Sequence, residues 1–541
     1  MTSFNEENRF GSAAFATEAD LGRAGVLGNC GIMLGFKGKR LIRVDGDAPL
    51  ITFGGAGTGK LRDLGAYTVC GCRSDDGKWF SPTRMFINDP RGELAAISIQ
   101  NLVRLGKRGY FMNAYGLHGL PQHRVNPLDM LRPGSKTLIA DTKILVGEMI
   151  VLSGSQEGAF FELRARQWLG ALVLYHVLRY GYITLPALYE LVNAMQDTSE
   201  WTDIAEGMFQ SPFAEVRRTV LEMNEKYNKS PKEYSAFMSE IIKSLDFLSD
   251  PYVYEMFNGA DFSLEVICQF DCNIYLMIPA EYAEILATVT RLIMGATMLY
   301  KQRHPEAPRV TFFIDEAATL KRSESLLGGY TFGRGMGIRM WSFWQNLGQI
   351  SRNFGPDAVE SFMGSAQVRQ FIGTRDIKTA KTGSEMIGKQ TLEYDAELLQ
   401  RKAKVMKAQI IRQLLAGGDP IAVGQNYRLQ AFAAADRAKQ SRDLLAPDEM
   451  LRLKDDEQIL FISGLNLNPV LCNKYPYFDQ PRMAGAYMPN PYHQPQNKVR
   501  IATRSGFYWA RVITERVPEK YADLPQYQSG QWSFIEGFRP A

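Results

Sequence analysis

The run Gly54-Gly55-Ala56-Gly57-Thr58-Gly59-Lys60 follows directly on the apolar stretch LITF (residues 50–53), and nothing else in the sequence restricts the fold as strongly. Its spacing meets the G-x-x-x-x-G-K pattern of a Walker A loop. The glycines let consecutive backbone N–H groups turn inward around phosphate oxygens, while the lysine reaches the β and γ phosphates. Leu61 stands where Ser or Thr would place a hydroxyl on magnesium. In isolation the run is also compatible with a plain glycine turn.

A carboxylate pair supplies the counterpart. RVTFFIDEA (residues 309–317) is an apolar strand ending in Asp315 and Glu316. At a strand end Asp315 can hold a magnesium shell, and Glu316 can orient or deprotonate an attacking water. A buried strand that stops at a charged turn is the plainer alternative. Downstream, Gly333-Arg334-Gly335 leads into IRMWSFWQN (residues 338–346). Gln345 at that strand end could sense a γ phosphate, and Arg334 could reach across a subunit interface as an arginine finger. A solvated loop arginine and a strand-terminal amide fit the same spacing. The nucleotide reading requires that the turn holding Lys60 and the edge holding Asp315 and Glu316 meet on neighbouring strands, with a triphosphate between them.

The rest of the chain is organised around these motifs. Further strands are expected at residues 41–44, 83–88, 109–113, 273–278, 338–343, 368–372 and 458–462. Strands alternating with helices point to an α/β fold with a mostly parallel sheet. Between residues 127 and 261 the character changes. ELRARQWLGALVLYHVL, LPALYELVNAM, FAEVRRTVLEMNEKY and EIIKSLDFLSD repeat apolar residues at helical spacing, which makes a helical block inserted into the sheet. Residues 394–438 are read as helix or surface arm, and the Pro-, Tyr- and Asn-rich end as an extended tail on the surface. The expected divisions are residues 1–128 and 259–475 for the two parts of a nucleotide-binding domain, 129–258 for an all-α insertion and 476–541 for the tail.

Composition sets limits. With 541 residues the chain exceeds one core, and about 150 residues per domain suggests about three units. Lys and Arg number 62 against 58 Asp and Glu, too even to reveal a nucleic-acid partner. Neither a basic stripe nor an aromatic stacking surface is evident, and RKAKVMKAQIIR (residues 401–412) reads as a solvated helical face. The six cysteines, Cys30, Cys70, Cys72, Cys268, Cys272 and Cys472, lack zinc spacing and read as reduced structural thiols. The acidic start has no apolar run, and the longest apolar stretch (residues 168–178) is short of the ~20 residues that cross a bilayer. The chain reads as cytosolic, and Met1-Thr2-Ser3 as a natural beginning.

The combination of GSAAFAT (residues 11–17), GGAGTGK, NDPRGEL (88–94), FFIDEA, RGMGIRMWSFWQNLGQI (334–350), GSEMIGKQT (383–391) and the closing stretch of residues 444–478, ending in NKYPYF, resembles the coupling proteins of type IV secretion and conjugation. The resemblance implies a RecA-like P-loop NTPase domain carrying an inserted all-α domain that takes part in substrate recognition. It also implies ATP and Mg2+ as cofactors. In its terms Lys60 is the Walker A lysine, Asp315 and Glu316 the Walker B pair, Gln345 the sensor and Arg334 the arginine acting in trans. Asp89 and Glu93 lie near the nucleotide core, with Arg91 in the place of the usual Lys. The implied partners are channel components and secretion ATPases, a relaxase–DNA complex or effector proteins, single-stranded DNA, and copies of the chain in a hexamer. Members commonly begin with membrane-spanning helices, which this chain lacks. Either the sequence is a piece cut from a longer anchored protein, or it belongs to a soluble branch drawn to the inner face of the bacterial inner membrane by a separate membrane partner; the Met1-Thr2-Ser3 start tips the expectation to the soluble branch. Leu61 points to a weak ATPase. A nucleotide-gated adaptor with little hydrolysis and a DNA helicase or translocase are the alternatives.

Overall fold

Val310 to Ile314 is uniformly apolar apart from Thr311, and every residue of the strand is buried. A strand at the centre of a sheet covered on both faces needs that composition. The computed structural model describes residues 11–540 apart from 29, 83, 154–155, 395–396, 417–424, 426 and 430–437. Contact density separates two compact units. The larger comprises residues 18–373, 455–467 and 471–541, and the smaller, within the described residues, 11–17, 374–454 and 468–470.

The main sheet has eleven strands: β1 (Ile32–Lys37), β2 (Arg40–Val44), β3 (Leu50–Gly54), β4 (Arg84–Asn88), β5 (Arg108–Met112), β6 (Cys272–Leu276), β7 (Val310–Ile314), β8 (Ile338–Trp344), β9 (Val368–Ile372), β10 (Glu457–Ile462) and β11 (Val470–Asn473). Their order is β2-β1-β11-β10-β9-β3-β8-β7-β4-β6-β5. From β9 to β5 every pairing is parallel, whereas β10 pairs antiparallel with β9, β11 with β1, and β1 with β2. The strand preceding the glycine loop is therefore the sixth of the eleven and the second of the seven in the parallel part. One expectation is corrected here: β3 and β7 are not neighbours, because β8 lies between them and pairs with both. Strands β1 and β11 were not expected from the sequence; β1 carries the unbroken apolar pattern IMLGF rather than an alternation.

Between β5 and β6 the chain is helical: Leu138–Met149, Gln156–Tyr180, Leu185–Ala194, Thr198–Phe209, Ala214–Lys229, Pro231–Leu245 and Pro251–Phe257. Starts are marked by side chains that accept backbone N–H groups, Thr184, Asp197 and Asp250 among them. The buried Trp168 packs edge-on against Phe237 at 5.0 Å, which anchors the longest helix to its neighbour. Among the described residues no helix is long and apolar enough to cross a membrane.

The expected extended tail is a second correction. Lys498–Thr503, Gly506–Arg516 and Gln531–Ile535 form a three-stranded antiparallel sheet. It closes over a small core of Val517, Tyr527, Trp532 and Phe534. Its buried Gln526 caps the open edge of β5, accepting from Gly109 N at 2.8 Å and donating to Lys107 O at 3.1 Å. Edge strands are otherwise templates for unwanted pairing.

In the smaller unit, strands Lys389–Tyr394 and Ala438–Asp443 pair antiparallel beside helices Ile377–Ile387 and Glu397–Leu415. Gly11, at φ 150°, lies so close to the Lys389 carbonyl that a side chain would collide, and Ala13 N donates to that carbonyl at 2.9 Å. Residues 394–438, expected as helix or surface arm, are helix over Glu397–Leu415, and much of the remainder lies outside the described residues. Thr83, the expected start of β4, also lies outside them.

Candidate functional site

At the C-terminal end of β3 the chain enters a tight loop in which Gly57 and Gly59 take φ of 75° and 83°. That left-handed backbone suits glycine, and a Cβ on Gly59 would run into the Asp63 carboxylate. Lys60 then opens a widened helical turn, Lys60–Gly65, of the π type that recurs at functional sites. The Lys60 ammonium donates to Gly54 O at 3.1 Å, so the side chain folds back over its own loop.

The partner of Lys60 is Glu316, whose Oε2 is 3.6 Å from Nζ. Glu316 sits just beyond β7 at φ 51°, an uncommon conformation for a residue with a side chain and one that marks functional corners. Its Oε1 accepts from Gln345 Nε2 at 2.9 Å. Gln345, just beyond β8, is itself held: its backbone N donates to Gln349 Oε1 at 2.7 Å, and Gln349 Nε2 lies 3.5 Å from Glu316 Oε1. Asn346 caps the helix Leu347–Phe354 that carries Gln349. Thus β8 brings its glutamine between the two strands that supply lysine and carboxylate.

Asp315 lies beneath this cluster, 8% exposed, and its Oδ1 has no hydrogen-bond partner. Burial pushes its carboxyl up to about 7; the Lys60 charge pulls it back and Glu316 pushes it further. Asp89, at the end of β4, is also pushed up to about 7 by burial, opposed by the Ala95 N–H and reinforced by the Asp315 charge. Its carboxylate accepts from Glu93 N at 3.1 Å and Ala95 N at 2.8 Å and so caps the helix Glu93–Arg104. Glu93 accepts from Asn490 Nδ2 at 2.6 Å, and Arg91 stacks 4.0 Å over the Tyr492 ring, so both act in packing that segment. Among the described residues no group of three or more His, Cys, Asp or Glu could hold a metal. Among the described residues Asp315 Oδ1 is a buried acceptor without a hydrogen-bond partner, which suits a magnesium shell completed by phosphates and water.

Two placements differ from a simple joining of motifs. Arg334 is exposed in the turn Gly333–Met336 before β8, while Gln345 follows that strand. At ~3.3 Å per residue the strand separates them by roughly 23 Å, so Arg334 does not meet Lys60 within one chain. Leu61 is half-buried, and the nearby Thr58 hydroxyl donates to Gly55 O at 2.9 Å rather than facing outward.

Lys474 was missed by sequence reasoning. Its ammonium lies 3.0 Å from Asp63 Oδ2 and donates to Thr58 O at 2.8 Å and to Asp455 O. Both side chains of the pair are almost fully buried, at 2% and 1% exposure. One residue therefore braces the loop carbonyl and the helix that follows it. No local spacing signals this, because the lysine stands 416 residues from Thr58. Gln349 was likewise in a quoted motif without a role.

Comparison with known proteins adds family and fold. A family described as Type IV secretory system Conjugative DNA transfer matches residues 82–409 and 433–505, which include Asp315, Glu316, Arg334, Gln345 and Lys474 but not the loop at residues 54–60. The probable conjugal transfer protein TraG of Sinorhizobium fredii is 26% identical over 256 residues, covering 46% of this chain and 36% of that protein. The type IV secretion system-coupling protein VirD4 of Bartonella quintana is 24% identical over 372 residues, 67% of this chain and 52% of that one. The chain thus spans about a third to a half of the length of these relatives. Among solved structures, the plasmid coupling protein TrwB in complex with a non-hydrolysable ATP analogue superposes with a TM-score of 0.59 at 15% identity, covering 87% of this chain and 96% of that one. At that identity the likeness is one of fold.

Proposed function

The chain belongs to the type IV secretory system conjugative DNA transfer family, and from that premise we propose that it is a nucleotide-driven coupling protein, an ATPase that recruits DNA–relaxase or effector-protein cargo and delivers it to a type IV secretion channel. The observation that carries the ATPase part is the convergence on Glu316, which faces Lys60 at 3.6 Å through one carboxylate oxygen and Gln345 at 2.9 Å through the other. In this reading the backbone N–H groups of Gly55, Ala56, Gly57, Thr58 and Gly59 cradle the phosphates of ATP. Lys60 leaves the Gly54 carbonyl for the β and γ phosphates. Glu316, released from the lysine, orients or deprotonates the water, and Gln345 reports the γ phosphate through its amide. Magnesium, when bound, neutralises phosphate charge, and Asp315 is the residue that would hold it.

Arg334 lies at the opposite end of β8 from Gln345, so a catalytic role for it requires a neighbouring subunit and favours a ring, taken here as six copies. The helical block at residues 129–258 is proposed to receive cargo, and residues 1–128 and 259–475 to form the motor. Placement at the inner face of the inner membrane, beside channel components and secretion ATPases, follows from the coupling role and calls for a membrane partner. Leu61 favours a second reading, a nucleotide-gated adaptor that hydrolyses little, because the loop offers no outward hydroxyl to the metal. Phosphate release with and without single-stranded DNA separates the two. The motor is stimulated and Glu316→Gln silences it with ATP binding retained; hydrolysis unchanged in Glu316→Gln removes the mechanism.

A further inference from the structure

The antiparallel ribbon Lys498–Thr503/Gly506–Arg516 exposes a set of side chains that neither its own fold nor the nucleotide site uses. Phe507 and Trp509 are 56% and 48% exposed, although aromatic rings of this size are usually covered. Direct cross-strand partners share a face, and the register pairs Trp509 with Arg500, Phe507 with Ala502, and Arg511 with Lys498. The opposite face carries Val499 and Ala510, which pair with each other and are buried. One solvent-facing surface therefore presents two aromatic rings interleaved with Lys498, Arg500 and Arg511. The Arg500 guanidinium lies 4.4 Å from the Phe507 ring centre and the Lys498 ammonium 5.2 Å from that of Trp509. Arg504 is exposed at the hairpin tip. Among the described residues two carboxylates answer these four cations: Asp479 lies 2.8 Å from Arg500, and Glu536 lies 3.0 Å from Arg511. The excess is positive.

We propose that this face is a binding site for single-stranded nucleic acid, with Phe507 and Trp509 stacking successive bases and Lys498, Arg500, Arg504 and Arg511 meeting the phosphates. Single strands offer unstacked base faces beside a chain of negative charge, which is what alternating rings and cations recognise. A duplex keeps its base faces covered and has no use for the rings. Two residues along a strand separate the rings by ~7 Å on a stiff hairpin, so the surface is preformed and little order is lost on binding. Phe507, Trp509 and Arg511 lie beyond the residues matched by the family, which end at 505, whereas Lys498, Arg500 and Arg504 lie within them. The face would supply the stacking surface that was not evident in the sequence. The proposal rests on the nucleic-acid part of the preceding reading and is independent of hydrolysis.

The test uses the full chain and a fluorescein-labelled oligo-dT of about 20 nucleotides, read by anisotropy, with ATP binding measured in parallel. Phe507→Ala and Trp509→Ala are each expected to weaken oligonucleotide binding about tenfold, with Trp509→Phe close to the parent and ATP binding unchanged. Lys498→Glu is expected to weaken binding and flatten its dependence on salt. Binding by the parent that all these variants retain overturns the ribbon proposal and leaves the coupling role standing. No oligonucleotide binding by the parent at all overturns both this proposal and the nucleic-acid cargo. If the ring substitutions abolish self-association in sedimentation, or adsorption to anionic phosphatidylglycerol vesicles, while oligonucleotide binding persists, the face belongs to a second copy or a membrane and the proposal falls.

Discussion

Around Glu316 the working groups come from strand ends far apart in sequence and are largely buried, whereas on the Lys498–Arg516 ribbon they are close neighbours on one hairpin and half exposed. The two regions teach different lessons about tolerance. A buried polar cluster is held by partners that leave costly orphans when removed, so substitution there disturbs fold and chemistry together. Exposed rings on a ribbon whose other face buries Val499, Ile501 and Ala510 can be removed with little effect on the fold.

The largest effect should come from Glu316→Gln, which keeps the hydrogen bond to Gln345 but loses the base. Steady-state phosphate release is expected to fall by about 10^2–10^4-fold, with ATP affinity retained by equilibrium titration. A fall in ATP affinity to match would mean that Glu316 serves the loop's structure instead. Next comes Lys474→Met, which leaves the buried Asp63 with the half-exposed Arg62 as its remaining ion partner. Urea unfolding should show a loss of about 1–3 kcal/mol, because the loop carbonyl and one carboxylate oxygen lose their donor, and joining it with Asp63→Leu should restore part of that, since apolar replacement of a whole buried pair is often near neutral. An unchanged midpoint for the single variant would show that the pair is not a brace.

A smaller effect is expected from pH. Burial raises the carboxyls of Asp315 and Asp89 from 3.8 to about 7, so the folded chain keeps protons that the unfolded chain releases near pH 4. The stabilisation from these groups is complete below about pH 4 and is lost as pH rises towards 7. Urea midpoints of the parent between pH 5 and 8 should therefore drift downward relative to Asp89→Asn/Asp315→Asn, and parallel curves would contradict the burial argument. The smallest effect belongs to the ribbon. Trp509→Ala should move stability by no more than about 0.5 kcal/mol in the same assay, and a larger loss would make the ring part of the core rather than of a surface.

Legibility in sequence followed distance along the chain. Strands β7 and β9 appear at the bounds their apolar runs suggest, and β3 and β8 within a residue of theirs. The helical period at residues 162–178 falls inside Gln156–Tyr180, and that at 213–227 begins one residue before Ala214–Lys229. The ribbon was hidden because GFYWARV has no clean alternation: exposed rings interrupt the period of two that marks a half-buried strand. Lys474 was hidden for another reason, since a single basic residue in a loop looks the same whether it meets water or a carboxylate.

By itself the amino-acid sequence determined the phosphate-type loop, the carboxylate pair after β7 and the alternation of strand and helix, because each is a pattern of spacing within a dozen or so residues. Only the tertiary structure decided that β8 stands between β3 and β7, that Lys474 braces the loop from far along the chain, and that the tail folds into a sheet with its rings turned outward. Strand order, buried pairing and the choice of which face meets solvent depend on packing between segments distant in sequence, and local pattern carries no record of it.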